Sequence, residues 1–242
     1  MMFQNKTAIV AGGAGGIGKE ISRALESEGA NVIVWDLNED SLKDIEQDII
    51  VSNGSLETMQ VNALDYSEIN KSVEQIKTNH SSVDIMVVCV GGGHDNYFVD
   101  TTEEFWRKEL DYNLTTVFNC FHNVIQTMIN QQNGRLLCFT SSLGGQPGMA
   151  TYQVAKAGCK SLIETIAAEH GKDNITANAI MPGFVLTPYV QSSLDNEPGG
   201  KEKMEEFLQH FPLGPNTPEN VARTALNILE DERLTGQVIP LR

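Results

Sequence analysis

Tyr152 and Lys156 stand four residues apart in the stretch Tyr152-Gln-Val-Ala-Lys156. On a helix that spacing places two side chains one above the other on the same face. A free phenol ionises near pH ~10, too high for ready proton exchange at neutral pH. An ammonium group one turn away favours the phenolate. Such a pair can take a proton from an alcohol or return one to a carbonyl. Three hydroxyl residues, Thr140, Ser141 and Ser142, lie just upstream and could hold the reacting oxygen. A Tyr-x-x-x-Lys pair alone is common by chance, so its meaning depends on the rest of the chain.

The first strand-like run is followed by Ala11-Gly-Gly-Ala-Gly-Gly-Ile-Gly18 and then by a helical pattern. Small residues there permit a tight turn and a close approach of backbone to a pyrophosphate, which rests on the unpaired N–H groups of the helix start. Two registers fit, Gly13-x-Gly15-x-x-Gly18 and Gly12-x-x-x-Gly16-x-Gly18. Asp36 ends the next strand-like run eighteen residues beyond Gly18. A carboxylate at that point accepts both ribose hydroxyls of an adenosine, and it repels a 2′-phosphate. Neither Ala14, Gly15, Leu37 nor Asn38 offers a compensating cation. The expected cofactor is NAD in preference to NADP.

These residues need a scaffold, and the hydropathy pattern supplies one. Thr7–Val10, Asn31–Trp35, Asp84–Val90 and Arg135–Thr140 are nearly continuous apolar runs, the signature of strands covered on both faces. Weaker strand candidates are Leu56–Val61, Ile175–Ile180 and Gln237–Ile239. Helical patterns lie near 17–28, 39–51, 66–79, 102–131, 152–171 and 218–230. Starts are marked by Ser67 or Asp65, by Thr101 or Thr102, and by Thr217-Pro218-Glu219; Gly29 and Gly171 mark stops. Alternating strands and helices predict βαβ units and a doubly wound parallel sheet of Rossmann type in three layers, α/β/α. The chain reads as one domain over 1–242. An irregular, proline-rich stretch at about 184–213 reads as a substrate lid, with a short helix at Lys201–His210 and an apolar inner face of Phe184, Tyr189, Phe207 and Phe211.

Composition narrows the partners. Lys plus Arg number 17 and Asp plus Glu 32, a formal charge of −15, which argues against nucleic acid and against an anionic membrane surface. Cys89, Cys120, Cys138 and Cys159 are widely spaced and read as buried reduced thiols. No histidine pair has metal-ligand spacing, and no metal is expected. His94 and Tyr97, just past the fourth strand, could line a substrate pocket; Trp35 and Trp106 read as packing residues. With no apolar leader or membrane-length run, a soluble cytoplasmic protein is expected.

Taken together, these motifs resemble the short-chain dehydrogenase/reductase family over essentially the whole chain. The family's glycine turn matches Gly12, Gly16, Ile17 and Gly18, and its Tyr-x-x-x-Lys matches Tyr152 and Lys156. Its helix-four asparagine matches Asn113, and its Pro-Gly segment matches Pro182-Gly183, followed by Val185 and Thr187. The resemblance implies a catalytic set of Asn113, Ser141, Tyr152 and Lys156. Lys156 would also bond the nicotinamide ribose, Asn113 would support a relay water, and Thr187 and the backbone near Val185 would hold the carboxamide. Asn62, with Ala63, stands where the family contacts adenine, and Gly91 permits close cofactor approach. Departures are Val88-Cys89-Val90-Gly91 for the family's Asn-Asn-Ala-Gly, and a Ser141–Tyr152 interval of eleven, shorter than usual, which leaves Ser142 as a rival. The implied activity is NAD-dependent interconversion of an alcohol, first of all a secondary one, and a carbonyl. The alternative is a non-catalytic NAD(H)-binding sensor or scaffold. By the same resemblance, helices near 102–131 and 152–171 would pair in a homodimer or homotetramer. The acidic character of the 184–211 segment leans toward a neutral alcohol or ketone as the small-molecule substrate.

Overall fold

The computed structural model describes residues 1–141, 144–196, 208–209 and 213–241. The strands are β1 Thr7–Ala11, β2 Asn31–Asp36, β3 Ser55–Gln60, β4 Ile85–Val88, β5 Gly134–Phe139, β6 Ile175–Pro182 and β7 Val238–Leu241. Between them run helices α1 Gly16–Ser27, α2 Glu39–Asp48, α3 Tyr66–Asn79, α4 Glu103–Leu110, α5 Thr116–Gln131, α6 Ala150–His170, α7 Pro188–Asn196 and α8 Pro218–Glu230. All seven strands join one sheet in the order β3-β2-β1-β4-β5-β6-β7, and every pairing is parallel. This is the Rossmann-type doubly wound fold expected.

Parallel strands hide both faces, and the apolar runs are split accordingly. Ile9 and Ala11 of β1 face a core shared with α3, α5 and α6, whereas Ala8 and Val10 face one shared with α1, α2 and α8. Ile9, Ile33 and Met86 are fully buried on the first side. Cutting such a residue back to alanine costs about 2–5 kcal/mol.

Several expected boundaries shift for local reasons. Asp65, not Ser67, caps α3, accepting from the Ser67 and Glu68 amides; Thr102, not Thr101, caps α4 through the Phe105 amide. The helix expected to run unbroken over 102–131 contains a turn of π-helix at Asp111–Thr115 between α4 and α5. Gly29 takes the left-handed conformation expected of a stop, but Gly171 does not; there Asn174 makes the turn, at φ 58°. The lid helix expected at Lys201–His210 lies outside the described residues apart from 208 and 209, as do Phe207, Phe211 and the side chain of Tyr189.

Strand order reverses between β1 and β4, with β2 on one side of β1 and β4 on the other. The loops leaving these two strands open a crevice at the carboxyl edge of the sheet, the usual ligand site of open α/β sheets.

Candidate active site

On the β1 side of the crevice lies the glycine turn. Gly12 sits at φ 69°, and both its amide and that of Gly13 bond the Trp35 carbonyl, at 2.8 and 3.1 Å. A side chain on Gly18 would run into the Gly12 carbonyl. The turn therefore folds back on the start of α1, leaving the helix amino terminus facing the crevice. Asp36, at the end of β2, accepts from the Ala14 amide at 3.3 Å and the Asn38 amide at 3.1 Å. A shallow cavity of about 190 Å³ beside it is lined by Ala14, Lys19, Ser41 and Asp48, among others. Lys19 is a cation that sequence reasoning missed there, because it belongs to α1 and not to the loop. Its ammonium is paired with Asp48.

Asn62 closes its own turn, its side chain accepting from the Leu64 amide at 3.0 Å. The Ala63 carbonyl is tied to α5 by Asn119 at 3.1 Å. Asn119 was not singled out in the sequence, where nothing distinguishes it from other helix amides. On the far side, Gly183 bonds Leu241 at 2.8 Å, and a bridge from Val185 to Asn216 fixes the segment after β6. Thr187 caps α7 by accepting from Val190 at 3.2 Å, and its Cβ lies 3.1 Å from where a Gly16 side chain would begin. The β6 segment and the glycine turn thus meet across the crevice.

The Tyr152 group lies at the carboxyl ends of β4 and β5. The Lys156 ammonium is 5.6 Å from the centre of the Tyr152 ring, and Lys156 is 5% exposed. Tyr152 and Ser141 are hydrogen-bonded, whereas Ser142 lies outside the described residues. Thr140 does not join them; its amide and hydroxyl both turn to the Ile180 carbonyl, at 2.9 and 3.5 Å. Asn113 is fully buried in the π turn. Its side chain accepts from the Gly92 amide and donates to the Gly92 carbonyl, each at 3.0 Å, and also donates to Glu109 at 3.2 Å. The Asn113 carbonyl accepts from the Cys159 thiol at 3.3 Å. Gly91 packs between them, its missing side chain pointing within 2.8 Å of the Asn113 Oδ1 and 2.9 Å of the Lys156 Nζ.

Electrostatics depart from the simple expectation that Lys156 draws the phenol down. Burial pushes the Tyr152 phenol up, the Ser141 hydrogen bond pulls it down, and nearby Cys159 and Glu109 push it up again. Lys156 is itself lowered by burial, offset in part by its thiol neighbours. Both shifts disfavour the charged forms, so desolvation works against the mutual attraction of ammonium and phenolate. All four cysteines are free; Cys120, Cys138 and Cys159 are buried and Cys89 is partly so. Among the described residues no cluster of three His, Cys, Asp or Glu is arranged to hold a metal, and no helix is long and apolar enough to cross a membrane.

The profile of the short chain dehydrogenase family matches residues 6–198. A 3-oxoacyl-acyl-carrier-protein reductase of Chlamydia muridarum is 32% identical over 244 residues, covering 98% of this chain and 96% of its own. The protein of the same name from Thermotoga maritima is also 32% identical, at 99% and 97% coverage. Among solved structures, a short-chain type dehydrogenase/reductase from Mycobacterium ulcerans superposes with a TM-score of 0.92 at 25% identity, over 100% of this chain and 90% of that one. Levodione reductase shares the fold, with a TM-score of 0.92 at 22% identity over 99% and 96% of the two chains. Full-length relatives on one fold leave a single assignment: the chain belongs to the short-chain dehydrogenase/reductase family and is an oxidoreductase that works with a nicotinamide cofactor.

Proposed function

We propose that the protein, acting as one catalytic domain, interconverts a secondary alcohol and a ketone with NAD, Tyr152 exchanging the proton. The observation that carries this reading is the half-buried Tyr152, bonded to Ser141 with the buried Lys156 near its ring, at the strand ends where the glycine turn opens. When bound, NAD accepts or supplies the hydride. At Gly12, Gly16 and Gly18 an added side chain would crowd neighbouring atoms, and the start of α1, with Ile17 in its first turn, offers its amides to the pyrophosphate. Asp36 takes the adenosine ribose. With Lys19 already paired to Asp48, no unpaired cation is offered there to a 2′-phosphate among the described residues.

In carbonyl reduction Tyr152 donates its phenolic proton to the carbonyl oxygen while Ser141 holds that oxygen by hydrogen bonding. In oxidation Tyr152 accepts it, helped by the charge of Lys156. Asn113 acts through the backbone, locking Gly92 and hence the strip against which Tyr152 and Lys156 pack. Asn62 and Ala63 border the adenine, and Pro182, Gly183, Val185 and Thr187 close the nicotinamide end. The activity for which the relatives are named makes 3-oxoacyl compounds the first substrates to try. Exposed Tyr112, Phe118 and Val154 on the α4–α6 face offer a surface for self-association into a homo-oligomer in the cytoplasm.

The test is NAD-linked turnover across secondary alcohols, hydroxy acids and 3-oxo esters, with Tyr152→Phe as control. Turnover lost in the variant with NADH binding intact supports the reading. Undiminished turnover overturns it, and tight NADH binding without turnover on any substrate favours a sensor.

A further inference from the structure

His94 and Glu109 form a pair that the reaction described above does not use. Glu109 is 2% exposed, although it is a carboxylate on a surface helix. One of its oxygens bonds the His94 Nδ1 at 2.7 Å; the other is buried and has no partner. The His94 side chain is 57% exposed. A buried carboxylate is retained at a cost unless its charge is matched, and His94 is the group that matches it.

Position gives the pair its meaning. Gly91, Gly92 and Gly93 run across the reaction centre from the end of β4. The side chain absent from Gly91 would touch Lys156, and that absent from Gly93 would lie 3.4 Å from the Tyr152 Cγ. His94 is the first side chain to emerge from this bare strip, beside the acid/base. Glu109 precedes Asn113 by one helical turn, and Asn113 clasps Gly92. The strip is therefore held at its middle by the π turn and just past its end by α4. With Nδ1 committed to a carboxylate, the imidazole is held in one orientation; Nε2 is a donor when both ring nitrogens carry protons and an acceptor when only Nδ1 does.

We propose that His94, oriented by Glu109 and protonated on both ring nitrogens, donates a hydrogen bond from Nε2 to a second oxygen acceptor on the substrate, making the site selective for ketones that carry an ester, thioester or carboxylate oxygen close to the reacting carbon. This rests on the reading of Tyr152 as the acid/base and adds the substrate class to it. Glu109 is a positioning residue in this scheme, and His94 is the one that touches substrate.

The experiment compares NADH-linked reduction of methyl acetoacetate, acetoacetate and 2-pentanone by the wild type, His94→Phe and His94→Gln. Loss of a charged hydrogen bond lowers the kcat/KM ratio of methyl acetoacetate to 2-pentanone about tenfold in His94→Phe, chiefly through KM. His94→Gln, whose amide can donate from a similar place, restores part of the ratio. A fall for acetoacetate alone assigns the contact to a carboxylate, and a parallel fall for both oxo compounds assigns it to an acceptor oxygen in general. An equal change on all three substrates, or ratios to 2-pentanone unchanged in His94→Phe for both methyl acetoacetate and acetoacetate, overturns the proposal. Binding of methyl acetoacetate to NADH-loaded Tyr152→Phe protein, weakened by adding His94→Phe, reads the contact without turnover. Failure of the Tyr152 reading instead appears as activity that survives Tyr152→Phe on 2-pentanone.

Discussion

At Tyr152 burial and hydrogen bonding oppose each other. Burial holds the phenol above its ordinary value and Ser141 draws it back. Removing the serine hydroxyl leaves burial unopposed, so the phenol rises further. Alcohol oxidation needs the deprotonated form, so its rate climbs as pH rises through the Tyr152 ionisation. In Ser141→Ala that climb moves to higher pH, and the rate at neutral pH falls about tenfold or more. A pH–rate profile of oxidation in the two proteins reads both effects; an unmoved limb excludes Ser141 from the proton's path. Asp36 makes a separate claim. On the proposed preference for NAD its charge opposes a 2′-phosphate, and Asp36→Asn narrows the ratio of NADPH to NADH dissociation constants about tenfold. At this scale the sequence was legible for placement where a motif fixes spacing, as for Tyr152 and Lys156 brought together on one helix and Asp36 at the end of β2. It was not legible for Thr140, whose hydroxyl turns inward to Ile180, nor for Glu109, a carboxylate whose burial no local pattern announces.

At the scale of elements, the apolar runs announced the strands because a parallel sheet buries both faces. Turns were harder, since their partners come from distant segments. Glu26 shows why. It ends α1, is 1% exposed, and accepts from the amides of Ser52, Asn53 and Gly54 at 2.6, 2.9 and 2.9 Å, holding the loop before β3. Burial alone would raise its carboxyl, but those amides outweigh burial and lower it. A lowered carboxyl stabilises the fold above the unfolded ionisation range, and that contribution disappears as pH falls through the folded one. Glu26→Gln leaves amides short of an acceptor and costs about 1–3 kcal/mol at neutral pH. The deficit relative to wild type shrinks below pH ~4.3, where the unfolded carboxylate begins to take up protons. Urea unfolding of the two proteins at pH 7 and pH 4 measures both numbers. A deficit of equal size at both pH values would remove the charge from the account. The π turn at Asp111–Thr115 escaped the sequence for a related reason. Its periodicity differs from a plain helix by one residue, and what holds it is the long-range clasp of Asn113 on Gly92.

At the scale of the molecule, the crevice draws on segments far apart in sequence: the turn after β1, the end of β2, the glycine strip after β4 and the segment after β6. The turn after β1 is bonded directly to the end of β2, through Gly12 and Gly13 to Trp35 and through Ala14 to Asp36. The Gly16–Thr187 approach is one place where the two sides meet. A dinucleotide held by all four stabilises the folded chain and leaves the unfolded chain unaffected. At a concentration one hundred times its dissociation constant, such a ligand adds about 2.7 kcal/mol. For a chain of 242 residues that corresponds to a rise in Tm of about 5–10 °C. On the proposed preference for NAD, NADH raises the melting temperature by that amount and NADPH at the same concentration raises it by less, because of Asp36. In Asp36→Asn the two shifts converge. Differential scanning calorimetry of both proteins with each nucleotide decides the matter without any substrate. Equal shifts for NADH and NADPH in the wild type would mean that the phosphate finds a cation, and Lys19, released from Asp48, is the one within reach of that cavity.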